Sequence, residues 1–269
     1  MNRHLALQPK LAYVNDDGIL VVKHSSGFFS CCTIRLRKII NYYNEYKQLP
    51  VVDSSDQWHM YKDTVGDITH RLFTAIDNNY EFSNPVVFSY DTCEDQFSDF
   101  ALINYSDVNL FVKKYFTISS EIDGIKAQLL FKYGIDTTKT IAVCYRGCDK
   151  RTESNVPSHA TVIDNIQSLQ AQYPVYDLLI QSDEIEFYES LDAASIKYIQ
   201  FTETPKVRAD QRASQFYIPY GTRLSTAQTF LAVMQILSSC DILMTNSGNV
   251  GMWLHLFRGH ANNTIQLNK

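Results

Sequence analysis

The chain carries little net charge, has no long apolar run and lacks the common nucleotide fingerprints. Each absence removes a class of function. Lys and Arg number 24 against 29 Asp and Glu, a formal charge of −5. Neutralising a phosphate backbone needs clustered cations, so nucleic acid is not an expected partner. A small phosphorylated ligand stays within reach, because a few local cations and the amides of a helix end suffice. No apolar stretch approaches the roughly 20 residues that span a bilayer. The opening MNRHLALQPKLAYVNDDG has no continuous apolar core of the secretory kind. A soluble, cytoplasmic chain with no membrane span is expected. No G-x-G-x-x-G follows a predicted strand, which disfavours a dinucleotide-dependent oxidoreductase, and no G-x-x-x-x-G-K-[ST] occurs, which disfavours a P-loop enzyme. Cys31, Cys32, Cys93, Cys144, Cys148 and Cys240 match no zinc spacing. Buried free thiols and no metal site are expected. Repeats and low-complexity segments are absent as well.

The residues present describe an α/β protein. An apolar fraction of 45% supplies real cores, and 269 residues fit two domains of roughly 130 residues each. Gly18–Lys23 is a β-branched strand, His24–Gly27 a small-residue turn, Phe28–Lys47 a helix by its apolar phase, and Leu49–Asp53 a second strand. This β-turn-α-β unit is the building block of nucleotide-binding folds. Residues 54–116 show no regular period, with Val86–Tyr90 a short strand candidate. Ser119 caps a predicted helix through Lys132, which Gly134 stops. The junction placed at this helix gives domains 1–118 and 119–269.

From there strands and helices alternate, which predicts a parallel sheet covered on both faces. Strands are expected at 140–145, 176–181, 196–201 and 241–245, and helices near 158–172, 185–191, 226–239 and 251–257. Ligands of such sheets bind beyond the carboxyl ends of the strands. Polar residues gather there: Arg146–Glu153 after one strand, Ser182-Asp183-Glu184 after the next, and Asn246-Ser247-Gly248-Asn249-Val250-Gly251 opening the last helix. The 245–251 loop is the phosphate candidate, because small residues let amides approach a diphosphate at a helix N-terminus; an ordinary capped turn is the plainer alternative. Arg146, at a strand end, suits bidentate phosphate contact, against a merely solvated charge run over 146–153.

Ile141-Ala-Val-Cys-Tyr-Arg-Gly-Cys-Asp-Lys150 resembles the signature strand and loop of the fucosyltransferase superfamily, which includes α1,6-, O- and nodulation-type fucosyltransferases. The resemblance covers about 119–257 well and 18–53 weakly. It implies a GT-B-like fold: two Rossmann-type domains with parallel sheets and an inter-domain cleft, the acceptor on 1–118 and the donor on 119–269. It also implies inverting, metal-independent transfer, usually from GDP-fucose to a glycan hydroxyl, with no cofactor beyond the nucleotide-sugar itself. On this resemblance Arg146 falls on the diphosphate-binding arginine, Asp149 and Lys150 on an Asp-Lys pair, and Glu153 near a carboxylate proposed as base. Ser247, Gly248 and Asn249 fall in the donor-phosphate loop, Asp183 at the nucleotide-side strand end, and Gly27 in a glycine turn. Three departures stand out: Gly147 where some members have a second Arg, a one-residue gap before Glu153, and a missing second Gly at the Gly27 turn.

These residues suit direct displacement. Glu153, or failing that Asp149, would take the acceptor proton, while Arg146 and the 247–249 amides meet the charge on the leaving diphosphate. Such cations replace a metal, so the lack of a D-x-D motif is no defect. His24 is a second base candidate on the opposite domain. Two alternatives stay open: an inactive glycosyltransferase-like module that binds a sugar or partner, and a transferase using another GDP- or UDP-sugar.

Overall fold

Ile141, Val143 and Tyr145 alternate with Ala142 and Cys144 along a strand in which every residue is buried. Such a strand must be covered on both faces, and it is the centre of the larger sheet. The computed structural model describes residues 11–76, 85–88, 93–209 and 218–268. The strand Thr140–Tyr145 (β4) pairs in parallel with Asp177–Ser182 (β5) on one side and Ile242–Thr245 (β7) on the other. Ile199–Gln200 (β6) and Thr264–Gln266 (β8) complete a fully parallel sheet of order β6-β5-β4-β7-β8. Ile141, Val143 and Tyr145 pack under the helices His159–Gln172 (α5) and Ile185–Ala193 (α6). Ala142 and Cys144 face the opposite core, built on Ser120–Tyr133 (α4) and Arg223–Ser239 (α7).

The helix boundaries follow from their caps. The Ser119 hydroxyl accepts from Ile122 N and Gly134 takes the left-handed conformation at the far end, which bounds α4. Ser158 caps α5 in the same way. Asn249–Arg258 (α8) stops at Gly259, also left-handed.

A second, three-stranded sheet lies towards the N-terminus. Leu20–His24 (β2) runs parallel to Val52–Gln57 (β3) across the helix Phe28–Tyr46 (α1), and Ala12–Val14 (β1) adds an antiparallel edge. The α/β class and a parallel sheet through β4, β5, β6 and β7 are as the sequence predicts; the antiparallel β1 edge and the fifth parallel strand, β8, were not foreseen. The strand expected at 49–53 begins three residues late. Leu20 N bonds to Val51 O before the ladder starts, and Pro50 has no N–H to offer it. Residues 54–116, expected to be irregular, hold the short helix Thr69–Leu72 (α2) and the twelve-residue helix Tyr105–Phe116 (α3). Val108, Phe111, Val112 and Phe116 form the buried stripe of α3, a helical period hidden among polar neighbours. Val86 is not in a strand; its N–H and C=O bond to the Asn44 side-chain amide instead. Residues 89–90 of that candidate lie outside the described residues.

One apolar cluster runs through both sheets. Phe29 stacks on Trp253 at 5.9 Å, Phe116 meets Trp253 at 4.7 Å, and the Thr33 hydroxyl accepts from Trp253 Nε1 at 2.9 Å. Cys31, Cys32, Cys144, Cys148 and Cys240 are buried free thiols. Among the described residues no helix is long and apolar enough to cross a membrane.

His255 on α8 sits in this core at 1% exposure, its ring 4.9 Å from Phe100 and its Nδ1 2.8 Å from Gly251 O. Burial pulls its pKa from 6.5 down to about 4. A depressed histidine stays neutral in the fold while the unfolded chain takes up a proton, so its stabilisation is complete above pH 6.5 and is lost as pH falls towards 4. His255→Gln should therefore lose roughly 2–3 kcal/mol less stability than the parent between pH 7 and 4.5 in urea unfolding. Parallel losses in the two proteins would show that His255 is not the titrating group.

Candidate functional site

The strand register assembles the first part of the site. Tyr145 lies opposite Ser182, and Cys144 lies opposite both Gln181 and Thr245. The next residues out of the sheet are Arg146, Asp183 and Asn246, and they meet. Arg146 Nε donates to Asp183 Oδ2 at 3.0 Å, Arg146 N to Asn246 Oδ1 at 3.0 Å, and Gly147 N to Asp183 Oδ1 at 3.2 Å. The chain winds outward from β4 through β5 to β6, then returns to the other side of β4 at β7. The gap between β4 and β7 is thus a topological switch point, where ligands of open α/β sheets bind. Arg146 and Asn246 stand at that gap. The Asn246 side-chain amide Nδ2 is buried and has no hydrogen-bond partner among the described residues. A buried donor of this kind is costly unless a ligand meets it.

The second part is built around Lys150, only 7% exposed. Its ammonium donates to Gln96 Oε1 at 3.2 Å and contacts the Glu153 carboxylate, whose side chain is 44% exposed. Lys150 also lies against Gly248, which has φ +124°; a Cβ there would come 3.3 Å from Lys150 Nζ. The three amides of the phosphate candidate are occupied. Ser247 N donates to Asn268 Oδ1 at 2.8 Å, Gly248 N to Gln96 O at 2.7 Å, and Asn249 N to Gln96 Oε1 at 3.2 Å. The Ser247 hydroxyl is held by Asn268 O and by Gln266 Nε2. Asn249 reaches back to α1, its Oδ1 accepting from the Thr33 hydroxyl at 2.7 Å.

The predicted residues therefore form two adjoining groups, Arg146 with Asp183 and Lys150 with Glu153, Gly248 and Asn249. The side chain of Asp149 lies outside the described residues. His24 and Gly27 stand at the carboxyl end of β2 and the start of α1. His24 Nε2 pairs with Ser30 Oγ at 2.9 Å, burial lowers its pKa, and Gly27 is the N-cap of α1. Among the described residues no hydrogen bond joins either to Arg146 or Lys150. Among the described residues no three His, Cys, Asp or Glu gather as a metal-holding group. Gln96 and Asn268 were missed in the sequence because nothing local marks a residue that reaches a loop 150 positions away or meets it from the chain end.

A third cluster braces the turn. Glu184 is fully buried and receives Arg151 Nη2 at 2.6 and 2.9 Å, with His159 Nε2 at 3.0 Å. Burial pushes the carboxyl pKa up, but the hydrogen bonds from His159 and Arg151 outweigh it and hold the group below its ordinary value. Arg151 Nε also donates to Gly147 O at 3.0 Å. A Cβ on Gly147 would lie 1.4 Å from Glu184 Oε2, so an arginine at 147 is sterically excluded here. Gly147→Ala should push Glu184 off its two partners and cost about 2–4 kcal/mol in urea unfolding, as overpacking beside a buried charge does. A loss below about 0.5 kcal/mol, the surface level, would mean that the turn yields without disturbing Glu184.

No protein-family model matches this chain, and no curated protein does. Solved structures do match. NodZ α-1,6-fucosyltransferase soaked with GDP-fucose superposes with a TM-score of 0.57 at 12% identity, over 88% of this chain and 91% of that one. The same enzyme co-crystallized with GDP gives 0.52 at 12% identity, over 84% and 86%. Apo POFUT1 gives 0.41 at 13% identity, over 59% of this chain and 49% of that one, so this chain spans about half the length of the POFUT1 chain. The chain has the fold of these NodZ structures, in keeping with the GT-B-like fold expected from the sequence.

Proposed function

We propose that this chain is a metal-independent, inverting glycosyltransferase that moves a sugar, L-fucose from GDP-fucose, to a hydroxyl of a glycan. The observation that carries the reading is Arg146 at the β4–β7 switch point, fixed by Asp183 and flanked by the unpartnered amide of Asn246. The matched NodZ structures were soaked with GDP-fucose and co-crystallized with GDP, which supports a GDP-sugar as donor on 119–269. Residues 1–118 would then carry the acceptor.

In this mechanism the acceptor oxygen attacks the anomeric carbon and the sugar–phosphate bond breaks. Negative charge grows on the departing diphosphate, where Arg146 and Asn246 Nδ2 offer fixed N–H donors. Glu153 accepts the acceptor proton. Its contact with Lys150 opposes that role by occupying the carboxylate. A diphosphate that draws Lys150 Nζ towards Gly248 would relieve this opposition and free the base. No cofactor is needed beyond the donor.

The test is a melting-temperature series against GDP, UDP, CMP and NAD, each with EDTA and with manganese. GDP near 100 times its Kd should stabilise the chain by about 2.7 kcal/mol, a shift of several degrees that survives EDTA. Arg146→Ala should abolish the shift and lower GDP-sugar turnover by about 10²–10³. A shift seen only with UDP and manganese would overturn the donor and the metal-free mechanism together.

One observation favours the inactive-module alternative: Gln96 fills the Gly248 and Asn249 amides that a phosphate would use. Gln96→Ala removes the side-chain competitor and should tighten GDP binding by roughly threefold to tenfold, the worth of about one hydrogen bond. Weaker binding in that variant would make Gln96 a support of the loop and move the phosphate seat away from these amides.

A further inference from the structure

A cleft of about 530 Å³ opens at the amino end of the smaller sheet, where Pro50 and Val51 lead into β3. His24 and Gln57 mark the opposite, carboxyl ends of β2 and β3, so this cleft is separate from the strand-end site described above. Its volume falls in the range of small-molecule sites. Pro50, Val51 and Phe73 give it apolar walls, and His70 and Lys114 add polar character.

Arg35 of α1 lines this cleft although it is only 5% exposed. Its Nε donates to Ser54 Oγ at 3.1 Å and its Nη1 to Tyr115 O at 3.2 Å. The guanidinium carbon lies 5.1 Å from the Phe116 ring centroid and 5.7 Å from that of Tyr115. These contacts fix the plane of the guanidinium but use only two of its five N–H bonds. Nη2 has no hydrogen bond among the described residues, yet it is not among the polar atoms sealed off in the core. No carboxylate among those residues forms an ion pair with Arg35. The nearby Asp67 is engaged elsewhere: Oδ2 accepts from Ser54 N at 2.8 Å, and Oδ1 accepts from the N–H and hydroxyl of Thr69. A permanently charged group held nearly out of water, with an open edge and a nearby carboxylate, Asp67, that forms no ion pair with it, is costly unless an anion completes it.

We propose that this cleft is a second binding site, which takes a small carboxylate with an apolar body on the open edge of Arg35. The planar fork of guanidinium matches a carboxylate, and the apolar walls accept the rest of the ligand. The neighbouring Asp67 lowers the net positive charge of the site and favours a monoanion over a dianionic phosphate.

Sodium hexanoate is the probe, with hexan-1-ol and inorganic phosphate for comparison, titrated by saturation-transfer NMR with and without GDP. Hexanoate should bind saturably, more tightly than phosphate and at least about tenfold more tightly than hexanol, as a charge-assisted contact requires. GDP should leave that affinity unchanged. Val51 is 70% exposed at the cleft, so Val51→Glu should leave the fold intact and weaken hexanoate about tenfold, while Val51→Lys strengthens it. Arg35→Gln should abolish binding wherever circular dichroism shows the variant folded. Equal binding of hexanoate and hexanol, phosphate binding as tight as hexanoate, no saturation, or indifference to charge at Val51 would each overturn the proposal. Failure of hexanoate with GDP binding intact removes this site alone, whereas failure of GDP with hexanoate binding intact removes the transferase reading alone.

Discussion

The parallel pairing of β4 with β5 and β7 is the constraint on which the site depends. Parallel ladders space their residues evenly, so neighbouring strands that leave the sheet together deliver the next residues side by side. Arg146, Asp183 and Asn246 meet for that reason once the two ladders have formed. The burial of β4 on both faces holds the register: a slip by one residue would move Ile141, Val143 and Tyr145 into the wrong core. The rigidity of the strand therefore passes to Arg146, which a charge used for electrostatic stabilisation requires.

The turn after β4 is held by charge instead of apolar packing. Glu184 is buried with Arg151 and His159 on it, and Gly147 leaves the space that its carboxylate occupies. A buried carboxylate is destabilising alone and tolerable with two partners. This explains why the segment 146–153, which looks like a solvated charge run, is an ordered bracket. It also explains Gly147, where the resemblance allows an arginine: the side chain that would extend from it has no room beside Glu184.

The segment from Gln96 to Phe116 ties the two sheets together. Gln96 meets the amides that open α8, Phe116 packs on Trp253, and Thr33 of α1 bonds to both Trp253 and Asn249. The helix that bears the candidate phosphate loop thus rests on residues from the N-terminal part of the chain.

The sequence by itself determined the α/β class, the capped helices α4 and α5, the central strands and the polar strand ends around Arg146, Asp183 and Asn246. Those features are legible because capping and apolar phase are local, and because the carboxyl ends of parallel strands lie on one edge whatever the details. Tertiary structure alone decided the rest. The α3 helix buries a narrow apolar stripe within a polar stretch, and β1 and β8 are three-residue strands that exist only because a neighbour offers a ladder. Gln96 on the 248–249 amides, Asn268 on Ser247, Glu153 on Lys150 and the open edge of Arg35 join residues from distant elements or turn on side-chain geometry. No pattern in a linear sequence marks such partners, since which polar atoms meet is settled only when the apolar cores have closed around them.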